Sequence, residues 1–121
     1  MNQSEKRQFL IQSLLKERPE YRDLSIQAES ESQRQLLRGL MNIRAPRRMD
    51  AEFLKTQDEY LQAELRGKGI TDIESLTAIT EDLYLWQGDI TTLKCGAVVN
   101  AANSQMLGCF CPCHGCIDNA I

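Results

Sequence analysis

The sequence predicts an α/β chain: a helical N-terminal extension over residues 1–80, then, over 81–121, the first strands of a truncated α/β fold. Three observations predict it. Apolar residues recur with helical spacing up to about residue 80, and at Leu83 the pattern becomes extended. Gly96-Ala97-Val98-Val99-Asn100 is a short apolar run bounded by a glycine and polar residues, which fits a buried strand of a parallel sheet. Composition divides at the same place. Residues 1–80 hold 13 basic and 13 acidic side chains and no cysteine; residues 81–121 hold one basic and four acidic side chains, all five cysteines, the single His and the single Trp.

A first helix is expected over 3–18, where Phe9, Leu10, Leu14 and Leu15 form a stripe and Pro19 limits the end. A second covers 32–43: Ser32 and Gln35 have capping-box spacing, and Leu36, Leu37, Leu40 and Met41 share a face. Asp50 is placed to cap a third helix running to about Arg66. Phe53, Leu54, Tyr60, Leu61 and Leu65 line its stripe, and Gly67 or Gly69 is its stop. Thr71-Asp72-Ile73-Glu74 reads as another capping box, opening a short helix that contains Leu76. Leu83-Tyr84-Leu85-Trp86-Gln87 is rich in strand formers and is interrupted by Gly88-Asp89. Ile90 to Leu93 is a turn, 96–100 the second strand, 101–106 a connection, and 117–121 the opening of a helix. Two short strands make no stable sheet alone, and no crossover to a third follows the helix at 117. Residues 81–121 therefore read as the start of a longer domain.

At 121 residues and a formal charge of −3, the chain has no overall attraction for nucleic acid. No apolar run approaches the ~18 residues of a membrane span. The polar start Met1-Asn2-Gln3-Ser4-Glu5-Lys6-Arg7 has no apolar signal core after it. Together with an odd number of cysteines, this predicts a reduced, cytoplasmic protein rather than a disulfide scaffold. Arg44, Arg47 and Arg48 form a small basic group, read as a solvated turn.

The strongest chemical signal is Gly108-Cys109-Phe110-Cys111-Pro112-Cys113-His114-Gly115-Cys116. Zinc takes thiolate and imidazole ligands, four in structural sites and three plus an open position in catalytic ones. Four thiols and an imidazole crowd this loop, and its glycines and proline let it fold back on itself. The spacing is not that of a finger with two separated knuckles. A second signal is Gly88-Asp89-Ile90-Thr91 followed by Asn100-Ala101-Ala102-Asn103. An acid and two amides at strand ends can line a crevice of the kind open α/β sheets use for ligands.

Taken together, Gly88-Asp89-Ile90-Thr91, Val99-Asn100-Ala101-Ala102-Asn103 and Ile117-Asp118-Asn119-Ala120-Ile121 resemble the opening of a macrodomain, the three-layer α/β/α fold that binds ADP-ribose. The Cys/His loop resembles that of the zinc-containing macrodomains of bacteria, which hydrolyse ADP-ribose from modified proteins and carry a helical N-terminal extension. The resemblance implies zinc as cofactor, with Cys109, His114 and Cys116 as ligands and Cys111 and Cys113 at variable, non-ligating positions. It implies that Asp89 accepts a hydrogen bond from the adenine amino group with Ile90 beside the ring. Asn103 would contact the distal ribose and Asn100 would support the loop. Asp118 matches an acid near that ribose, with a role as catalytic base or cation stabiliser. ADP-ribose or an ADP-ribosylated protein is the implied partner; some relatives act beside a sirtuin-type ADP-ribosyltransferase and a lipoyl-carrier protein. The family's phosphate-binding loop has no counterpart in these residues, so the chain alone is expected to be inactive.

Two other readings use the same residues. One is an ADP-ribose-binding module in which the metal only holds the loop. The other is a metal-stapled interaction domain built on the helical half. A fourth ligand from Cys111 or Cys113 would close the metal site and favour the last.

Overall fold

The computed structural model describes residues 1–121. Three helices build the core: α1 (Gln3–Lys16), α2 (Ser30–Asn42) and α3 (Ala51–Lys68). Asn2 caps α1 through a reciprocal pair of bonds, its side chain accepting from the Glu5 N–H at 2.9 Å while Glu5 accepts from the Asn2 N–H at 2.7 Å. Asp50 caps α3 by accepting from the Phe53 N–H at 2.7 Å. Gly69 ends α3 with φ +90°, a conformation that side-chain-bearing residues rarely adopt. Both ends of α3 therefore follow from single residues visible in the sequence.

Leu10, Ile11, Leu14, Leu37, Leu40, Phe53 and Tyr60 are buried together, all of them on these three helices. Polar groups are drawn in with them. The Arg7 side chain, only 3% exposed, donates to Gln33 Oε1 at 2.9 Å and to Ser30 Oγ at 3.2 Å. Gln33 in turn donates to the Gln27 carbonyl at 2.8 Å, so the guanidinium lies within a satisfied network rather than against bare hydrocarbon. Lys6–Glu59 at 2.7 Å and Arg34–Glu64 at 2.9 Å tie α1 and α2 to α3 at the rim. Arg44 forms a two-pronged pair with Glu17, at 2.8 and 3.1 Å, and holds that carboxyl below the usual glutamate range. Of the basic group in the α2–α3 loop, Arg44 is thus structural, and Arg47 and Arg48 face solvent.

Beyond α3 the pairing is sparse. Strand β1 (Thr71–Asp72) pairs in parallel with β4 (Leu93–Lys94), and β2 (Ala78–Thr80) pairs antiparallel with β3 (Leu83–Tyr84). A short helix, α4 (Ile117–Ala120), follows the cysteine loop. The result is a mixed α/β chain with four helices and a few short strands.

Several local expectations are corrected. α2 begins at Ser30, with Glu29 at its N-cap, because the Ser32 hydroxyl bonds the Glu29 carboxylate at 3.1 Å instead of capping the helix. On α3, Leu54 and Leu61 are exposed, since the face turned to α1 and α2 is that of Phe53, Thr56 and Tyr60. The expected helix at 71 is a strand followed by a single 3-10 turn, Ile73–Ser75. Asp72 caps that turn, and Leu76 lies outside it. The expected strand 83–87 shortens to Leu83–Tyr84, because its partner β2 offers only three residues. The expected buried strand at 96–100 does not form. No strand lies beside it, so its backbone has no ladder, and Val99 is 88% exposed.

This division predicts unequal mutational costs. Leu10→Ala is expected to destabilise the chain by about 2–5 kcal/mol through lost burial and the cavity left behind. Val99→Ala is expected to cost less than about 0.5 kcal/mol. Urea unfolding followed by far-ultraviolet circular dichroism measures both; equal costs would contradict a core confined to α1–α3.

Candidate metal centre

The cysteine loop folds back so that the ligating atoms of Cys109, His114 and Cys116 lie within 4.8 Å of one another. Cys109 Sγ stands 3.7 Å from His114 Nδ1. Tetrahedral zinc, with Zn–S of about 2.3 Å and Zn–N of about 2.0 Å, separates neighbouring ligand atoms by roughly 3.5–3.8 Å. The donor set and its spacing therefore fit that ion. Cys109 and Cys116 are half-buried and His114 is exposed, which leaves one side of the triad open.

The other two loop cysteines are not in this group. Cys113 turns towards α2: its sulfur lies 3.4 Å from the Gln35 carbonyl, and its N–H donates to Asn42 Oδ1 at 3.2 Å. Its φ of +55° lies in the left-handed region, which costs a side-chain-bearing residue about 1–2 kcal/mol and turns the chain sharply back towards His114. Cys111 is exposed, and its carbonyl accepts from Asn119 Nδ2 at 2.9 Å.

The Cys109 thiol is held below its ordinary value. The Cys111 N–H is the main cause, with the Cys116 and Asn119 side chains adding to it; burial and the Asp118 carboxylate act the other way. The net direction favours thiolate, the form a metal requires.

Asp118, in the first turn of α4, is gripped from the preceding connection. Asn100 Nδ2 donates to its Oδ1 at 3.0 Å and Asn103 Nδ2 lies 3.4 Å from its Oδ2. Asn103 also donates to the Gly108 carbonyl at 2.9 Å, so one amide joins the acid to the root of the cysteine loop. The structure thus brings Asn100, Asn103 and Asp118 together beside the thiol and imidazole triad.

Asp89 and Ile90 occupy a separate turn. Asp89 Oδ1 accepts from the Thr91 N–H at 3.0 Å and from the Thr91 hydroxyl at 2.6 Å, while Oδ2 faces Lys68 Nζ at 3.4 Å. Thr91, chiefly through its side chain, holds the Asp89 carboxyl below the usual aspartate range, and Lys68 adds to this. Ile90 lines a groove of about 640 Å³ with Tyr84, Trp86, Leu76 and Leu93. Gly88 is required at its rim, since a Cβ there would come within 2.4 Å of the Trp86 ring.

Two participants were not singled out by sequence patterns. Asn119 is 7% exposed, accepts from Arg38 at 2.8 and 3.2 Å and donates to the carbonyls of Cys111 and, at 3.4 Å, Cys109. Arg38, on the outer face of α2, also donates to the His114 carbonyl at 3.2 Å. For Arg38 the signal in the sequence was a polar helix face spaced Gln35, Arg38, Gly39, Asn42, which has the pattern of a solvated surface; Asn119 lay within the Ile117–Ile121 motif without a role of its own.

No protein-family model matches the chain. Among curated proteins it is similar to a protein-ADP-ribose hydrolase of Treponema medium, 51% identical over 125 residues that take in 100% of this chain and 48% of the relative. It is also similar to a protein-ADP-ribose hydrolase of Staphylococcus aureus, strain Mu50, 42% identical over 94% of this chain and 43% of the relative. The chain spans about half the length of the curated relatives it matches.

Metal analysis of single alanine variants tests the triad. One zinc per chain is expected for the parent and for Cys111→Ala and Cys113→Ala, and loss of the metal for Cys109→Ala, His114→Ala and Cys116→Ala. Retention should fall as pH drops, because protons compete for the same thiolates and imidazole. Metal loss on replacing Cys111 or Cys113, with retention in Cys109→Ala, would reverse the assignment.

Proposed function

We propose that this chain supplies the metal loop and adjoining helices of a zinc-containing macrodomain, in a protein that removes ADP-ribose from modified proteins. The observation that carries the reading is the placement of the Cys109–His114–Cys116 triad beside an aspartate held by two asparagines. The names of the two relatives support the same chemistry.

Cutting the bond between the distal ribose and a protein side chain builds oxocarbenium character at the anomeric carbon, as in glycoside hydrolysis. Asp118 is the residue suited to that charge. Asn100 and Asn103 aim its carboxylate, so it can take a proton from the attacking water or stabilise the developing cation. Asn103 can exchange its bond to Asp118 for one to a ribose hydroxyl while its bond to Gly108 keeps it in place. Asp89 can accept from the adenine amino group through Oδ2, displacing Lys68, while Oδ1 remains fixed by Thr91; Ile90 offers an apolar edge to the ring. Cys109, His114 and Cys116 would hold zinc, which supplies Lewis acidity towards a hydroxyl or water oxygen, tempered because two thiolates neutralise its formal charge. That charge balance suits substrate orientation and hydroxyl polarisation.

A chimera tests this reading. Residues 1–121 replace the matching segment of the Treponema medium relative, and release of ADP-ribose from a modified protein is measured with zinc present. Release is expected, with Asp118→Asn slowing it by about 10²–10⁴-fold, the range lost with a general base. Full release by the Asp118→Asn and His114→Ala chimeras would contradict the roles given to both residues.

A further inference from the structure

We propose that Arg38 and Asn119 are positioning residues for the metal centre, together clamping the cysteine loop to the outer face of α2. The inference rests on the reading of Cys109, His114 and Cys116 as metal ligands. It adds two residues that are not among the metal ligands.

The geometry is continuous. Arg38 is exposed on α2 while Leu37 and Leu40 of the same helix enter the core, so it projects from a rigid support. Its guanidinium places two N–H groups on the single oxygen Asn119 Oδ1, at 3.2 and 2.8 Å, and one of those nitrogens also reaches the His114 carbonyl at 3.2 Å. With its oxygen so engaged, Asn119 turns its amide nitrogen to the carbonyls of Cys109 and Cys111. The pair therefore grips the backbone of two of the three ligands, Cys109 and His114, from one side. The third, Cys116, directly precedes α4, the helix that carries Asn119.

The division of labour within α4 is equally clear. Asp118 faces Asn100 and Asn103, whereas Asn119 faces α2 and the loop carbonyls. Both halves of the amide are used, so neither aspartate nor leucine can replace it. Aspartate would keep the bond to Arg38 but lose the donors to the loop; leucine would lose both. Lysine at 38 can reach one acceptor but cannot span Asn119 Oδ1 and the His114 carbonyl with a planar fork. Outer groups that orient ligands commonly govern metal affinity by about 10–100-fold.

Cobalt(II) titration of the 121-residue chain is the test, because cobalt bound by thiolates reports ligand geometry in its visible and charge-transfer bands. The parent is expected to bind one cobalt. Arg38→Ala and Asn119→Asp should bind it about 10–100-fold more weakly, with shifted bands. Arg38→Lys should recover part of the affinity, and the Arg38→Ala/Asn119→Asp double variant should be little weaker than either single one. The far-ultraviolet melt of the helical core, measured without metal, should not move. That separates a clamp on the loop from a general loss of folding, and the exposed Arg38 site keeps the test valid should an Asn119 variant fold poorly. Parent-like affinity and spectrum in Arg38→Ala would overturn the clamp while leaving the ligand assignment standing. Failure of the parent itself to bind cobalt would overturn both.

Discussion

The side-chain amide of Asn119 is the one buried polar group that ties the cysteine loop to the helical half of this molecule. Its oxygen is held by Arg38 of α2 and its nitrogen by the carbonyls of the cysteine loop. The helical half has a core of its own, made by seven buried apolar residues on α1, α2 and α3. Apart from Asn119, the only buried residue after α3 is Thr92, whose hydroxyl is taken up by the Asp89 carbonyl. Regular structure there consists of two-stranded pairs, each strand two or three residues long, short 3-10 turns and the four-residue α4. Order in the cysteine loop must therefore be borrowed from the helices. Polar contacts to the outer face of α2 are the means: Arg38 to Asn119 and His114, and Asn42 to the backbone of Cys113.

That arrangement sets the electrostatics of the site. The loop contains no Lys or Arg beside its thiols, and the Asp118 carboxylate lies near Cys109. Such a concentration of donors is costly without a cation and well matched to a divalent one. Arg38 lends positive charge at the loop's edge without entering the triad, because it is bound to an amide and a carbonyl rather than to a carboxylate. The acid and the triad stay distinct, with Asp118 held by two side-chain amides rather than by a cation.

Much of this could be read from the residues in order. Asp50 and Gly69 mark the ends of α3 by chemistry that acts within a few residues, and the apolar stripes of α1 and α2 reach the core nearly as spaced. The Cys/His cluster was legible because its donors lie close in sequence; the choice of Cys109, His114 and Cys116 among them came from the resemblance to zinc-containing macrodomains, and these are the three whose donor atoms converge. The 96–100 segment was misread because an apolar run becomes a strand only when another strand is beside it, which the run itself does not reveal. The clamp was illegible for a related reason. Arg38 and Asn119 are 81 residues apart, and a polar helix face looks the same whether it meets water or a loop.

The most direct measurement of the central claim is zinc X-ray absorption on the loaded chain. Two sulfur neighbours at about 2.3 Å, one imidazole and one further light atom are expected, as for three protein ligands with an open position. Three or four sulfur neighbours would mean that Cys111 or Cys113 closes the site, and would contradict an open metal centre beside Asp118.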